Sequence, residues 1–104
     1  MTIFDDREHA FEAKFAHDAE MQFRVEARRN KLVAAWAAEL LGKTGADAEA
    51  YAATVVAADF AEAGDADVLR KLAADLNGKA SEAEIRAKLD ASLLDAKNQL
   101  KAEL

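Results

Sequence analysis

An all-α fold, a four-helix bundle with a long first helix and a projecting N-terminal arm, is predicted by three observations. They are the alanine content, the placing of the glycines and the helical period of the larger apolar side chains. Of the 104 residues, 27 are alanine, none is proline and only four are glycine. Alanine loses no rotamer entropy in a helix and lets helix backbones pack closely, so helix is expected and sheet is not.

The glycines punctuate the chain. Gly42 and Gly45 bracket Lys43-Thr44, Gly64 precedes Asp65 and Gly78 follows Asn77. Each is placed as the left-handed residue or loop that ends a helix. Four segments result, at about 4–41, 47–63, 66–76 and 82 to the end. The short connections make sequential neighbours roughly antiparallel. Ser81-Glu82-Ala83-Glu84 is a full capping box, in which the Ser81 hydroxyl accepts from the third helical amide while Glu84 reaches back to the Ser81 amide. Asp65 is placed to cap the third segment, and Asp47, or as second choice Thr44, the second.

The apolar positions repeat with helical period. In the last segment Ile85, Leu89, Leu93 and Leu100 share a face, with Ala96 in the small position and Leu104 continuing the stripe. Val68, Leu69, Leu72 and Leu76 do the same in the third segment, and Tyr51, Val55, Val56 and Phe60 surround an alanine-rich face in the second.

Composition excludes several function classes. Lys+Arg 14 against Asp+Glu 20 gives a net charge of -6, which argues against nucleic acid as a partner because phosphate binding needs a basic surface. Without cysteine there is no disulfide framework, thiolate metal site or thiol nucleophile. No stretch is long and apolar enough to insert in a membrane, and the N-terminus lacks the basic and apolar regions of a secretory signal. A cytoplasmic protein is expected, monomeric when free.

The first segment differs from the rest. At about 100° per residue, Phe4, Phe11, Phe15, Met21, Val25, Leu32, Val33, Trp36 and Leu40 fall in a stripe about 120° wide. A helix over 4–41 is about 57 Å long at 1.5 Å per residue, far longer than its partners. Either one end projects past the bundle or the segment breaks. The overhang is expected at the N-terminus, dividing the chain into an arm, 1–19, and a bundle, 20–104. On the arm Phe4, Phe11 and Phe15 are interleaved with Asp5, Asp6, Arg7, Glu8, Glu12 and Lys14. Such a segment is marginal as an isolated helix and suits docking in a groove of another protein, aromatic anchors inward and charges outward. The alternative is that it folds back and its phenylalanines complete the core; the pattern alone weighs the two equally.

Little in the chain points to catalysis. His9 and His17 are eight residues apart, not the four of a helical metal pair. Serine occurs only at Ser81, already a cap, and Ser92. Gly42-Lys43-Thr44-Gly45 has the letters of a phosphate loop but no preceding strand or glycine-rich run, and is read as a helix stop and turn. No enzyme activity, metal or cofactor is expected. Arg24, Arg28, Arg29 and Lys31 form a basic cluster, read either as a solvated face paired with Glu20, Glu26 and neighbouring acids or as a patch for an anion, a ligand or an acidic partner.

The runs Phe4-Asp5-Asp6-Arg7-Glu8, Ala10-Phe11-Glu12-Ala13-Lys14-Phe15-Ala16-His17-Asp18, Glu26-Ala27-Arg28-Arg29-Asn30-Lys31-Leu32 and Trp36-Ala37-Ala38-Glu39-Leu40-Leu41-Gly42 resemble the ζ subunit family of alphaproteobacterial ATP synthases. Ala58-Asp59-Phe60 and Ala63-Gly64-Asp65 resemble it too, so the likeness covers essentially the whole chain. It departs at Ala19, where a second acid is expected after Asp18. The resemblance implies a four-helix inhibitor of ATP hydrolysis that binds the catalytic head of the F-type ATP synthase. It further implies that Phe4 to about Ala19 insert at a catalytic interface between α and β subunits and reach toward the central stalk. The expected location is then the bacterial cytoplasm, peripheral at the inner membrane through the ATP synthase. The other function class left open is a small helical bundle that binds a ligand such as an adenine nucleotide in a regulatory role, with Arg24, Arg28, Arg29 and Lys31 as the first place to look.

Overall fold

The computed structural model describes residues 13, 18–59 and 66–103. Among these are four helices: α1 (Ala19–Leu40), α2 (Gly45–Ala58), α3 (Ala66–Asp75) and α4 (Glu82–Ala102). The all-α four-helix reading holds.

The first boundary falls at Asp18, so of the two alternatives for the first segment it is the break that is found. Asp18 stands ahead of α1 in extended backbone, φ -111° and ψ 106°, and its carboxylate accepts from the amides of Glu20 and Met21 at 2.9 and 3.3 Å. A residue so placed satisfies amides that an incoming helix would otherwise bond, so it starts a helix rather than continuing one. α1 therefore has 22 residues, about 33 Å. It ends where the glycine predicts. Gly42 has φ 72° and donates to the Glu39 carbonyl at 3.1 Å, while Lys43 donates to Ala38 at 2.8 Å. These two bonds define a Schellman turn, which requires the left-handed residue glycine supplies.

That turn is tight enough to move the next helix start. α2 begins at Gly45 rather than near Asp47, with Thr44 in the cap position, although the Thr44 side chain makes no capping bond. The second-choice cap is the one found. Asp47 falls inside the first turn, where its charge opposes the positive end of the helix dipole. α2 stops at Ala58, short of the expected 63, and the expected cap Asp65 lies outside the described residues. The capping box of α4 forms as predicted: Glu84 donates its amide to Ser81 Oγ at 3.1 Å, and Ser81 donates its amide to Glu84 Oε1 at 3.1 Å.

α1 packs along both α4 and α2, and α3 closes the sequence between α2 and α4. The core consists of two clusters. The larger gathers Val33, Ala34, Ala37 and Ala38 of α1 with Tyr51, Val55, Val68, Leu72, Leu76, Ile85 and Leu89. The smaller joins Met21 and Val25 to Ala96 and Leu100. Between them along α1 and α4 come the buried polar residues Arg29, Asn30 and Ser92. One end of the molecule is thus a four-helix core and the other a two-helix stem of α1 and α4.

Met21, Val25 and Val33 are buried as the stripe predicts, but along the C-terminal half of α1 the buried face is rotated from it. Val33, Ala34, Ala37 and Ala38 are buried, while Trp36 and Leu32 are half-buried and Leu40 is exposed. The alanines let α2 and α4 approach α1 closely, and this leaves the bulkier side chains at the seams, covering the core edge-on.

Candidate functional site

Asp18, the cap of α1, lies at the end of the segment expected as the arm. Of the expected arm, 1–19, Ala13, Asp18 and Ala19 are described, Ala13 as helical and exposed. Phe4, Asp5, Asp6, Arg7, Glu8, Phe11, Glu12, Lys14 and Phe15, with His9 and His17, lie outside the described residues. What the structure shows at this end is the capped start of α1 on the two-helix stem.

The four cations of the basic cluster are dealt to different surroundings, because successive residues of a helix point about 100° apart. Arg24 pairs with Glu20 one turn back at 2.9 Å, as the solvated-face reading expects. Arg28 reaches across to α4, donating to Gln99 at 3.1 Å and Glu103 at 2.9 Å. Arg29 is turned into the protein, 2% exposed. Its Nε and Nη2 donate to Asn30 Oδ1 at 3.1 and 2.9 Å, and Nη2 lies 3.7 Å from Asp59 of the α2 terminus. Lys31 is exposed.

Three of the four nevertheless share a surface. Arg24, Arg28 and Lys31, with Phe23, Ala27, Leu100 and Glu103, line a shallow groove of about 280 Å³ on the α1–α4 stem. Phe23, 51% exposed, is a site residue that the sequence pattern passes over. It lies off the apolar stripe of α1, and its only sequence signal is an aromatic among charges one residue before Arg24. A second hollow of about 610 Å³ is lined by Lys31 with Glu49, Ala52, Ala53, Val56 and Ala57. Its walls are mostly apolar, from three alanines and Val56, and of the basic cluster only Lys31 reaches it. Arg24, Arg28 and Lys31 thus share the stem groove, and Arg29 does not.

Electrostatic tuning occurs elsewhere, at the α2–α3 seam. Burial and then the Asp75 carboxylate push the Tyr51 phenol well above its ordinary pKa. For Asp75, partial burial opposes ionisation, but hydrogen bonds from Lys71 and Tyr51 and the charges of Lys71 and Lys43 outweigh it and hold the carboxyl below its usual value. This knot joins Tyr51 of α2 to Asp75 and Lys71 of α3. Among the described residues no group of three or more His, Cys, Asp or Glu side chains is arranged to hold a metal ion, and no helix is long and apolar enough to cross a membrane.

The class defined by this architecture is a small all-α four-helix bundle whose first described helix is capped at Asp18. Within that class the chain belongs to the ATPase inhibitor subunit zeta family, whose model matches residues 1–99. Among solved structures it is similar to a protein determined by solution NMR, at 60% identity and a TM-score of 0.74, over 81% of this chain and 99% of that one. No curated protein matches.

Proposed function

We propose that this chain inhibits ATP hydrolysis by the F-type ATP synthase by inserting its N-terminal arm, about 1–19, at a catalytic interface between α and β subunits of the catalytic head. The observation that carries the reading is the family match over residues 1–99, which includes the arm as well as the bundle. The capped start of α1 at Asp18 supports it, because the first helix of the bundle then begins with its own cap and needs nothing from 1–17 to start.

The mechanism needs no chemistry from the inhibitor. Catalytic interfaces of a rotary enzyme open and close in turn. A helix that binds one interface state much better than the others holds the cycle there, by its differential affinity alone. Phe4, Phe11 and Phe15 supply apolar anchors, and Asp5, Asp6, Arg7, Glu8, Glu12 and Lys14 set register and orientation. On this reading the chain is a regulatory subunit rather than an enzyme, working in the bacterial cytoplasm at the membrane periphery, with α, β and the central stalk as its neighbours. An ATP hydrolysis assay of the cognate catalytic head tests it: addition of the full chain lowers turnover saturably, and unchanged turnover at saturating protein refutes the proposal.

A further inference from the structure

We propose that the groove on the α1–α4 stem is a second docking surface on the ATPase, and that its occupant is an acidic segment of the catalytic head's polypeptides. The inference rests on the reading just given, that the chain acts on that assembly, and adds a site on the bundle itself. Arg24, Arg28 and Lys31 follow one another at four and three residues, so they form a single row down α1. Phe23 flanks the row with half its surface exposed, Ala27 keeps the floor between the cations low, and buried Leu100 forms the wall from α4.

Charge selects the partner. Glu103 lines the same groove and Glu20 pairs with Arg24, yet the three cations leave a net positive patch on a chain of net charge -6. The ion pairs already there are easily exchanged. Arg24 and Glu20 are 60% and 72% exposed and Arg28 and Glu103 34% and 54%, the solvated kind of pair that contributes little to stability. Two arginines offer planar forks suited to carboxylates, and Phe23 offers an apolar contact beside them. A nucleic acid or an anionic membrane would meet the overall negative charge as well as three cations; a protein segment with two or three carboxylates meets only the patch.

Position ties the groove to the arm. Phe23 is five residues beyond Asp18 on the helix that the arm leads into. Once the arm is engaged, the groove is held within a few turns of the same subunits at high effective concentration, so weak contacts there slow release of the whole chain. Arg29, turned inward to Asn30 and Asp59, takes no part.

The test uses the full chain and the cognate catalytic head. The double reversal Arg24→Glu with Lys31→Glu is expected to raise the half-inhibitory concentration at least about tenfold at low salt, leaving maximal inhibition unchanged, and Phe23→Ser is expected to raise it severalfold. The charge-preserving pair Arg24→Lys with Lys31→Arg restores it, and inhibition by the native chain weakens as salt rises. All altered side chains are solvent-facing, and an unchanged circular dichroism melt confirms that each variant folds. A half-inhibitory concentration unmoved by the reversal overturns the proposal, even where Phe11→Ala abolishes inhibition and the arm reading stands. The converse, loss with the reversal but none with Phe11→Ala, sinks the arm reading and keeps the groove. A native chain that dimerises in solution through this face, with the reversal giving monomers, also overturns it, since a second copy is then the occupant.

Discussion

The Tyr51 hydroxyl donates to Asp75 Oδ2 at 2.8 Å, and through this bond α2 is fastened to α3. Lys71 completes the arrangement, its ammonium 3.0 Å from the same oxygen and 5.3 Å from the centre of the Tyr51 ring. Tyr51 is otherwise buried among the apolar side chains of the larger cluster. Removing the hydroxyl alone leaves the Asp75 carboxylate short of a donor. Tyr51→Phe is expected to cost about 1–2 kcal/mol in urea unfolding, without change in helix content.

The same knot sets an acid limit. Asp75 ionises more readily in the folded protein than in the unfolded chain, where its pKa is about 3.9. As pH falls past that value the unfolded chain takes up the proton first, so this contribution to stability is complete above it and fades as pH descends through the lower folded value. Asp75→Asn should therefore flatten the acid side of the stability profile relative to the native chain. Unfolding midpoints from about pH 6 down to about pH 2 measure the difference. Parallel profiles would show that Asp75 is not held ionised.

Packing predictions follow burial rather than size. Leu72 is fully buried, and Leu72→Ala is expected to cost about 2–5 kcal/mol, depending on how far the site collapses. Leu94 is 60% exposed, and Leu94→Ala should stay within about 0.5 kcal/mol of the native chain. Thermal or urea unfolding separates the two.

The helices that declared themselves by local chemistry were legible in the sequence. The capping box at Ser81 and the turn at Gly42 each use side chains or a backbone freedom that act within a few residues, and both form as read. Asp18 is equally local, but the apolar stripe of the first segment runs through it unbroken, so periodicity hid the helix start. The rotation of α1 was not legible for a different reason. Alanine and tryptophan are both apolar in a periodic pattern, and only the approach of α2 and α4 decides that Ala34 and Ala37 go inside while Trp36 stays at a seam. The basic cluster shows the same limit: spacing identified the row Arg24, Arg28, Lys31, but the inward turn of Arg29 depends on Asp59 arriving from α2.

Arg29 yields a prediction of its own. Its guanidinium is buried beside Asn30 and Asp59 between the two apolar clusters. Arg29→Ala removes one side of a buried polar arrangement and is expected to cost about 3 kcal/mol, measured by urea unfolding. Replacing Arg29 and Asp59 together by Met and Leu should cost much less, because no buried charge is then left alone. Equal losses would mean that packing rather than charge is what Arg29 provides.

The most direct test of the account is inhibition by a chain lacking residues 1–17. α1 keeps its cap at Asp18 in that truncation, so the bundle is predicted to retain its helical circular dichroism and cooperative unfolding. In an ATP hydrolysis assay of the cognate catalytic head it should inhibit not at all at concentrations where the full chain is saturating. Full inhibition by the truncated chain would contradict the assignment of the inhibitory element to the arm.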